Sequence, residues 1–129
     1  MQLNITPKEQ IEIELQEIQD FCDITMSEDA QEAHERGNVL SAYISRTAKL
    51  LADAKYHKDE ILKSEMISEI TRIISLSPSV ATKFIETLTK EENYLFLWAE
   101  RIHRTCVHQL EWCRTVISKA KAEMQAFGK

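Results

Sequence analysis

The sequence predicts an all-α protein: an elongated antiparallel helical bundle with two long helices, an N-terminal helix and a short connecting helix. Two observations carry this prediction. The 129 residues include only two glycines and two prolines, whereas β-rich and loop-rich folds need many turns, and turns use these residues. Apolar residues make up 43% of the chain and recur at helical spacing along most of it. We therefore expect a single helical domain over residues 1–129.

The first predicted helix begins at Pro7, where Thr6 is suited to cap the helix and Glu9 to complete a capping box. Apolar residues then follow the spacing of a narrow, coiled-coil-like seam: Ile11, Leu15, Ile18 and Cys22. The flanks of this helix are acidic. A second capping signal around Ser27 predicts a break before the next helix.

The middle of the chain carries helical periodicity as far as Ser75. Gly37 and Asn38 offer a stop and a new cap, so a long helix is expected over 39–75, and the pattern leaves open whether it continues back through Gly37. Its apolar stripe comprises Leu40, Tyr43, Ile44, Thr47, Leu51, Ala54, Ile61, Leu62, Met66, Ile70 and Ile73. Lys58 interrupts this stripe, and we expect it to form a polar layer opposite residues 106–109 that fixes the helix register.

Pro78 ends that helix, because the residue before a proline disfavours α geometry, and it starts a short helix that ends near Leu88. Thr89 and Glu92 form another capping box ahead of a last helix over 90–127, about 55 Å long. Its stripe comprises Leu95, Ala99, Ile102, Cys106, Gln109, Cys113, Val116, Ala120, Met124 and Phe127. Two helices of matched length with a compact connection should pack antiparallel.

Charge and cysteine usage predict a cytoplasmic protein with no membrane association. The formal net charge is −5, and residues 1–40 carry ten acidic side chains with only Lys8 and Arg36 as bases. No apolar run reaches the roughly 18–20 residues that span a bilayer, and the first residues do not resemble a signal peptide. Three cysteines, an odd number, suit a reducing compartment.

No motif in the sequence predicts an enzyme. Glycine occurs only at positions 37 and 128, so a glycine-rich phosphate loop cannot be built. Asp53, His57 and Glu60 share a helix face, but their neighbours are also charged, and we interpret them as a solvated surface. We therefore expect no catalytic residue and no cofactor.

Metal binding is also not expected. Glu100 and His103 have the spacing that di-iron four-helix bundles use, yet such a site needs a second Glu-x-x-His pair, which the sequence lacks. His103, Cys106 and Cys113 lie on one helix without the second ligand pair that is typical of zinc sites. We favour the simpler interpretation that these are small cysteines that fill the core.

The second face of the last helix is the candidate contact surface. Basic and aromatic side chains share about 100° of its arc: Tyr94, Leu97, Arg101, Arg104, Thr105, His108, Trp112, Thr115 and Lys119. We single out Arg101, Arg104, His108, Trp112 and Lys119 as partner or nucleic-acid contacts. Such a face can receive an acidic helix, including that of the same chain, or follow a phosphate backbone and stack bases. The acidic pI, about 5.4, disfavours nucleic acid.

Residues 91–121, EENYLFLWAERIHRTCVHQLEWCRTVISKAK, and residues 41–56, SAYISRTAKLLADAKY, resemble parts of small all-helical proteins encoded by phages and mobile elements. The resemblance implies no activity that transfers to this chain. Proteins of that kind often lie among DNA-recombination genes, which implies a role beside single-stranded DNA or recombination proteins. It draws attention to Arg101, Arg104, Thr105 and Arg114.

The sequence favours a non-enzymatic helical interaction or assembly protein that forms a homo-oligomer, with another protein as a further candidate partner. A chain of this size is short of surface to cover two helices of about 55 Å, and a second copy would supply what is missing. The alternative is an accessory protein that acts with single-stranded DNA or recombination proteins.

Overall fold

The computed structural model describes residues 1–127, which form five α-helices and no strand. These are α1 (Lys8–Cys22), α2 (Ala30–Ser68), α3 (Ile70–Ile74), α4 (Pro78–Leu88) and α5 (Lys90–Phe127). The prediction of an all-α fold is confirmed for this span, and positions 128 and 129 of the predicted domain lie outside it. Within the same residues, no helix combines the length and the apolar character that crossing a membrane requires.

The two long helices, α2 and α5, pack closely together, and polar contacts join them at two levels. Arg36 Nη2 donates to Gln109 Oε1 at 2.8 Å. Further along α2, Thr47 Oγ1 lies 2.8 Å from His103 Nδ1. Between these two contacts the residue number rises along α2 and falls along α5.

Lys58 does not form the expected polar layer opposite residues 106–109. Its ammonium lies 5.2 Å from the centre of the Phe96 ring, which is a cation–π distance. The expectation was wrong because it aligned a helix over 39–75 with α5. The observed α2 begins and ends earlier, over 30–68, so its pairing with α5 is shifted.

Gly37 lies inside α2 and does not break it. The backbone of the described glycine has no positive φ, and the residue is buried. A Cβ at this position would lie 3.4 Å from Leu110 Cδ1 and 3.9 Å from Cys113 Cβ. Gly37 therefore allows α2 and α5 to approach closely, and the new helix start expected at Asn38 is wrong.

The helix ends are set by one cap and two single-residue kinks. The side chain of Asp29, the N-cap of α2, accepts a hydrogen bond from the Glu32 N–H at 3.0 Å. Glu69 separates α2 from α3 with φ −104° and ψ 12°, so the long helix stops short of Ser75. Thr89 separates α4 from α5 in the same way. Pro78 is the first residue of α4, as predicted.

Helix α1 packs against both α2 and α5 and buries the seam that its sequence predicts. Ile11, Leu15, Ile18 and Cys22 are at most 7% exposed. They join one apolar core with Ala33, Leu40, Leu50, Ala54, Ala99, Ile102, Cys106 and Cys113. Leu50, rather than the expected Leu51, is the fully buried leucine at its level of α2.

The segment before α1 is tied to α2 by its backbone. The Thr6 N–H donates to Asp53 Oδ2 at 2.9 Å, and the Thr6 carbonyl accepts from His57 Nε2 at 2.7 Å. Pro7 is the N-cap of α1 and no side chain caps the helix, so the expected capping role of Thr6 is wrong. Asp53 is buried, which corrects its assignment to a solvated face.

Helix α1 is too short to cover the whole of the α2–α5 pair. Its 15 residues span about 22 Å, whereas the 38 residues of α5 span about 57 Å. Helices α3 and α4 contain no buried residue, and residues 121–127 of α5 are all exposed. The core is therefore concentrated beside α1, and both far ends of the molecule are left open.

Candidate interaction surfaces

The first open end carries exposed aliphatic side chains, which we call the tip surface. Ile67 lies in the last turn of α2, and Ile70 and Ile74 lie four residues apart on α3 and so share one face of that helix. They are 67%, 47% and 75% exposed, and Val80 on the neighbouring α4 is 50% exposed. Ile70 was expected to face the core. It is exposed because α1 does not reach this level and α4 packs on only one side.

Charges of both signs surround the tip surface in equal number. The charged residues between positions 61 and 88 are Lys63, Arg72, Lys83, Glu65, Glu69 and Glu86. This end of the molecule therefore has no net charge that would repel an identical surface. Large contiguous apolar patches are uncommon on monomeric proteins and mark interaction sites.

The second face of α5 is exposed except for its tryptophan. The side chains of Arg101, Arg104, His108 and Lys119 are exposed and Trp112 is half-buried. Helix α1 packs beside this face, against Cys106 and Gln109, and does not cover it. Of the alternatives that the sequence left open, packing of the chain's own acidic helix on this face is not what the structure shows.

Acidic neighbours reduce the positive charge of this face. Arg104 Nη2 lies 3.0 Å from Glu100 Oε1, and His108 Nδ1 lies 3.7 Å from Glu111 Oε2. Both are exposed pairs, which contribute about 0–1 kcal/mol. Trp112 lines a shallow cavity of about 320 Å³ with residues that include Glu28 and Val116.

A larger groove, of about 700 Å³, lies between the first turns of α1 and α5. We call it the α1–α5 groove. Its apolar lining comprises Tyr94, Leu95, Leu97 and Trp98. Trp98 is held in place because its Nε1–H donates to Gln19 Oε1 at 3.1 Å. Tyr94 is 66% exposed, so the groove presents an aromatic side chain to an incoming partner.

The rim of this groove is acidic. It comprises Glu9, Glu12, Glu91, Glu92, Lys8 and Lys90. Lys8 Nζ lies 2.9 Å from Glu92 Oε2, and this hydrogen bond raises the pKa of Lys8. Once that pair is set aside, three carboxylates and one ammonium group remain around the aromatic lining.

The two bases of the acidic N-terminal region both anchor α1. Lys8 reaches Glu92 at one end of the helix, and Arg36 Nη2 donates to the Phe21 and Cys22 carbonyls at the other. Gln109 Nε2 also donates to the Cys22 carbonyl at 2.9 Å, which satisfies a helix-end acceptor. Sequence reasoning missed these contacts, although the rarity of bases among residues 1–40 was a signal for them.

The buried carboxylate of Asp53 on α2 holds the segment before α1 in place. Lys49 Nζ lies 2.7 Å and 2.8 Å from the two Asp53 oxygens. Burial alone would raise the pKa of Asp53, but the hydrogen bonds from Lys49 and Thr6 hold that pKa below its ordinary value. The stabilisation that this carboxylate lends is therefore present near neutral pH and is lost as the pH falls through its lowered pKa.

Neither metal-site arrangement considered from the sequence is assembled. The described residues contain no group of three or more His, Cys, Asp or Glu side chains placed to hold a metal ion. His103 Nδ1 is engaged by the Thr47 hydroxyl, and Glu100 is paired with Arg104. The Glu100–His103 spacing thus serves two separate structural contacts.

Two buried thiols meet where α1 contacts α5. Cys22 Sγ lies 3.8 Å from Cys106 Sγ, and both cysteines are free. The contact with Cys106, helped by the charge of Arg36, lowers the pKa of Cys22. The pKa of Cys106 is raised by its contact with Cys22 and by burial.

Comparisons with protein families, with curated proteins and with solved structures find no match to this chain. The interpretation of these surfaces therefore rests on their geometry and chemistry.

The thiol contact gives a direct test of where α1 lies. Diamide takes one hydrogen from each of two thiols and joins their sulfurs at about 2.05 Å, so Cys22 and Cys106, whose sulfurs lie 3.8 Å apart, are the pair expected to react. We expect the monomer to lose the mass of two hydrogen atoms and to gain about 2–4 kcal/mol in stability. Mass spectrometry and thermal denaturation measure both. Cys22→Ser should abolish the mass change and Cys113→Ser should not; the reverse pattern would contradict the placement of α1.

Proposed function

We propose that this chain is a non-enzymatic helical assembly protein that forms homo-oligomers through its tip surface. The observation that carries the proposal is the exposure of Ile67, Ile70, Ile74 and Val80 on one end of the molecule. A second copy is the occupant that fits best, because the balanced charge around this end makes it compatible with itself. Identical surfaces related by a two-fold axis are the commonest way in which proteins form homo-oligomers.

The architecture that we infer for each copy is a single-domain, elongated antiparallel bundle. It is supported by the order of the contacts, since Arg36 faces Gln109 while Thr47 faces His103. One apolar core that includes residues of α1, α2 and α5 supports a single domain. We also propose a reducing, cytoplasmic location, because all three cysteines are buried as free thiols.

The absence of enzymatic activity is part of the proposal. Its support is that two buried carboxylates are engaged in structural contacts. Asp53 bonds Thr6 and Lys49, and Glu92 bonds Lys8. Of these two, Glu92 lines the α1–α5 groove, but its carboxylate is already held by Lys8, whereas general acid–base catalysis needs a group that is free to exchange a proton with a substrate.

Replacing two tip isoleucines tests the assembly proposal. Wild-type protein should show a mass above the 15.0 kDa monomer by light scattering at micromolar concentration. Ile70→Ser with Ile74→Ser should weaken association by about tenfold or more, since burying one such side chain is worth about 1.5–3 kcal/mol and 1.4 kcal/mol corresponds to about tenfold.

Ile13→Ser with Ile24→Ser is the matched control, because these isoleucines are 57% and 58% exposed and lie away from the tip. It should assemble like the wild type. A wild-type protein that stays at the monomer mass throughout the micromolar range would refute the proposal.

The exposed basic face of α5 favours a second candidate function. Because α1 leaves Arg101, Arg104 and Lys119 accessible, an accessory protein that acts with single-stranded DNA or recombination proteins is the alternative. The resemblance to small phage and mobile-element proteins points the same way. The pairing of Arg104 with Glu100 and the net charge of −5 weaken this candidate.

A fluorescence anisotropy titration with a labelled single-stranded oligonucleotide at two salt concentrations separates the candidates. The DNA alternative predicts affinity that falls steeply with salt, because each neutralised phosphate releases counterions. Arg101→Ala with Arg104→Ala should then flatten the salt dependence, whereas the control Lys55→Ala with Lys63→Ala should not. The assembly proposal predicts no binding even at low salt, and tight, salt-sensitive binding would favour the alternative.

A further inference from the structure

We infer that the α1–α5 groove of one copy receives the C-terminal turns of α5 from a second copy. This contact rests on the self-association proposed above and adds a second, chemically different interface to it. The groove and the segment that would fill it are both exposed in the single chain. Both have apolar side chains, and their charges are opposite.

The groove offers an aromatic lining inside an acidic rim. Tyr94 and Trp98 lie with their ring centres 6.1 Å apart, and Leu97 is 36% exposed beside them. Glu12 and Glu91 are exposed carboxylates on opposite sides of the groove. A basic helix with apolar side chains on one face is the ligand that matches both features.

The last turns of α5, which we call the tail, are such a helix. Ala120, Met124 and Phe127 follow the spacing of one helix face, and Met124 and Phe127 are 72% and 85% exposed. Both were expected to belong to the buried stripe of α5. They are exposed because α5 continues beyond the level at which α2 begins, so the other helices of the same chain do not cover them.

The charge of the tail is opposite to that of the groove. Lys119 and Lys121 are exposed, and Glu123 is the one acidic residue between positions 112 and 127. Complementary charge of this kind mainly directs which surfaces meet, while the apolar side chains supply affinity. Met124 and Phe127 would then pack against Tyr94 and Leu97.

The positions of groove and tail allow the contact to close on itself. They lie towards opposite ends of α5, and the 30 residues from Tyr94 to Met124 correspond to about 45 Å of helix rise. Two copies that run in opposite directions would each place a tail in the groove of the other. Such a reciprocal exchange gives a closed two-fold dimer in which both grooves are filled.

A charge-swap experiment tests this contact separately from the tip surface. Every protein in it carries Ile70→Ser and Ile74→Ser, so that the tip contributes little. The groove variant adds Glu12→Lys and Glu91→Lys, and the tail variant adds Lys119→Glu and Lys121→Glu. In either variant alone, like charges face each other at both contacts. In an equimolar mixture, opposite charges face each other at both.

Sedimentation equilibrium measures the dissociation constants. Each variant alone should associate at least about tenfold more weakly than the parent, a change of about 1.4 kcal/mol, and the mixture should recover the parental constant. A control with Glu17→Lys and Glu35→Lys carries the same charge change on exposed positions outside the groove and should behave like the parent. Far-UV circular dichroism verifies that all variants remain helical.

The outcomes distinguish the two proposals. Groove and tail variants that associate like the parent, or a mixture that does not recover, would overturn the groove contact. A wild-type protein that assembles while the tip-substituted parent is monomeric would also overturn it and would leave the assembly proposal intact. A monomeric wild type would refute both. If the natural occupant of the groove is instead a basic helix of another protein, the tip-substituted parent should be monomeric while the wild type assembles.

Discussion

The burial of the α1 seam against α2 and α5 is the packing interaction on which the open surfaces of the molecule depend. Ile11, Leu15 and Ile18 are at most 2% exposed, and burying each such side chain fully contributes about 1.5–3 kcal/mol. Polar contacts then fix the position of the helix. Thr6 meets Asp53 at one end, and Gln109 donates to the Cys22 carbonyl at the other. Each of these contacts contributes about 0.5–1.5 kcal/mol. They therefore fix the orientation of α1 and stabilise its packing less than the apolar seam does.

The length of α1 decides which surfaces are left open. Because it spans less than half of α5, it completes a three-helix core in one region and does not reach the two far ends. One end exposes aliphatic side chains in a neutral setting, and the other exposes Met124 and Phe127 among lysines. The two ends therefore suit different partners. The tip suits an identical surface, and the tail suits an acidic, aromatic groove. A single constraint within the chain thus leads to two proposed contacts between copies.

The sequence predicted the elements whose signals are local. The spacing of the α1 seam, the start of α4 at Pro78 and the extent of α5 all follow from periodicity and proline geometry. Gly37 was misinterpreted because a glycine that ends a helix and one that admits a close neighbour look alike in a sequence. The kink at Glu69 carries no glycine or proline signal. Because of both errors, the predicted register of α2 against α5 was wrong, and Lys58 was paired with the wrong part of α5.

The candidate surfaces were predicted less well than the helices. The exposure of Arg101, Arg104, His108 and Lys119 follows from their position opposite the apolar stripe. Periodicity alone could not show that Ile70 and Met124 would be exposed, because exposure depends on where a neighbouring helix ends. The groove is formed by residues about 80 positions apart in the chain, and no sequence pattern joins them. In each case the missing information is the length and position of α1 relative to the long helices.

Hydrogen–deuterium exchange at low and high protein concentration tests most directly whether copies meet at the ends that α1 leaves open. The account predicts that protection rises with concentration in residues 61–88, at the start of α5 and in its tail, while the α1 seam is protected equally at both concentrations. Protection that does not change with concentration, or that rises only over residues 100–112 on the basic face of α5, would contradict it.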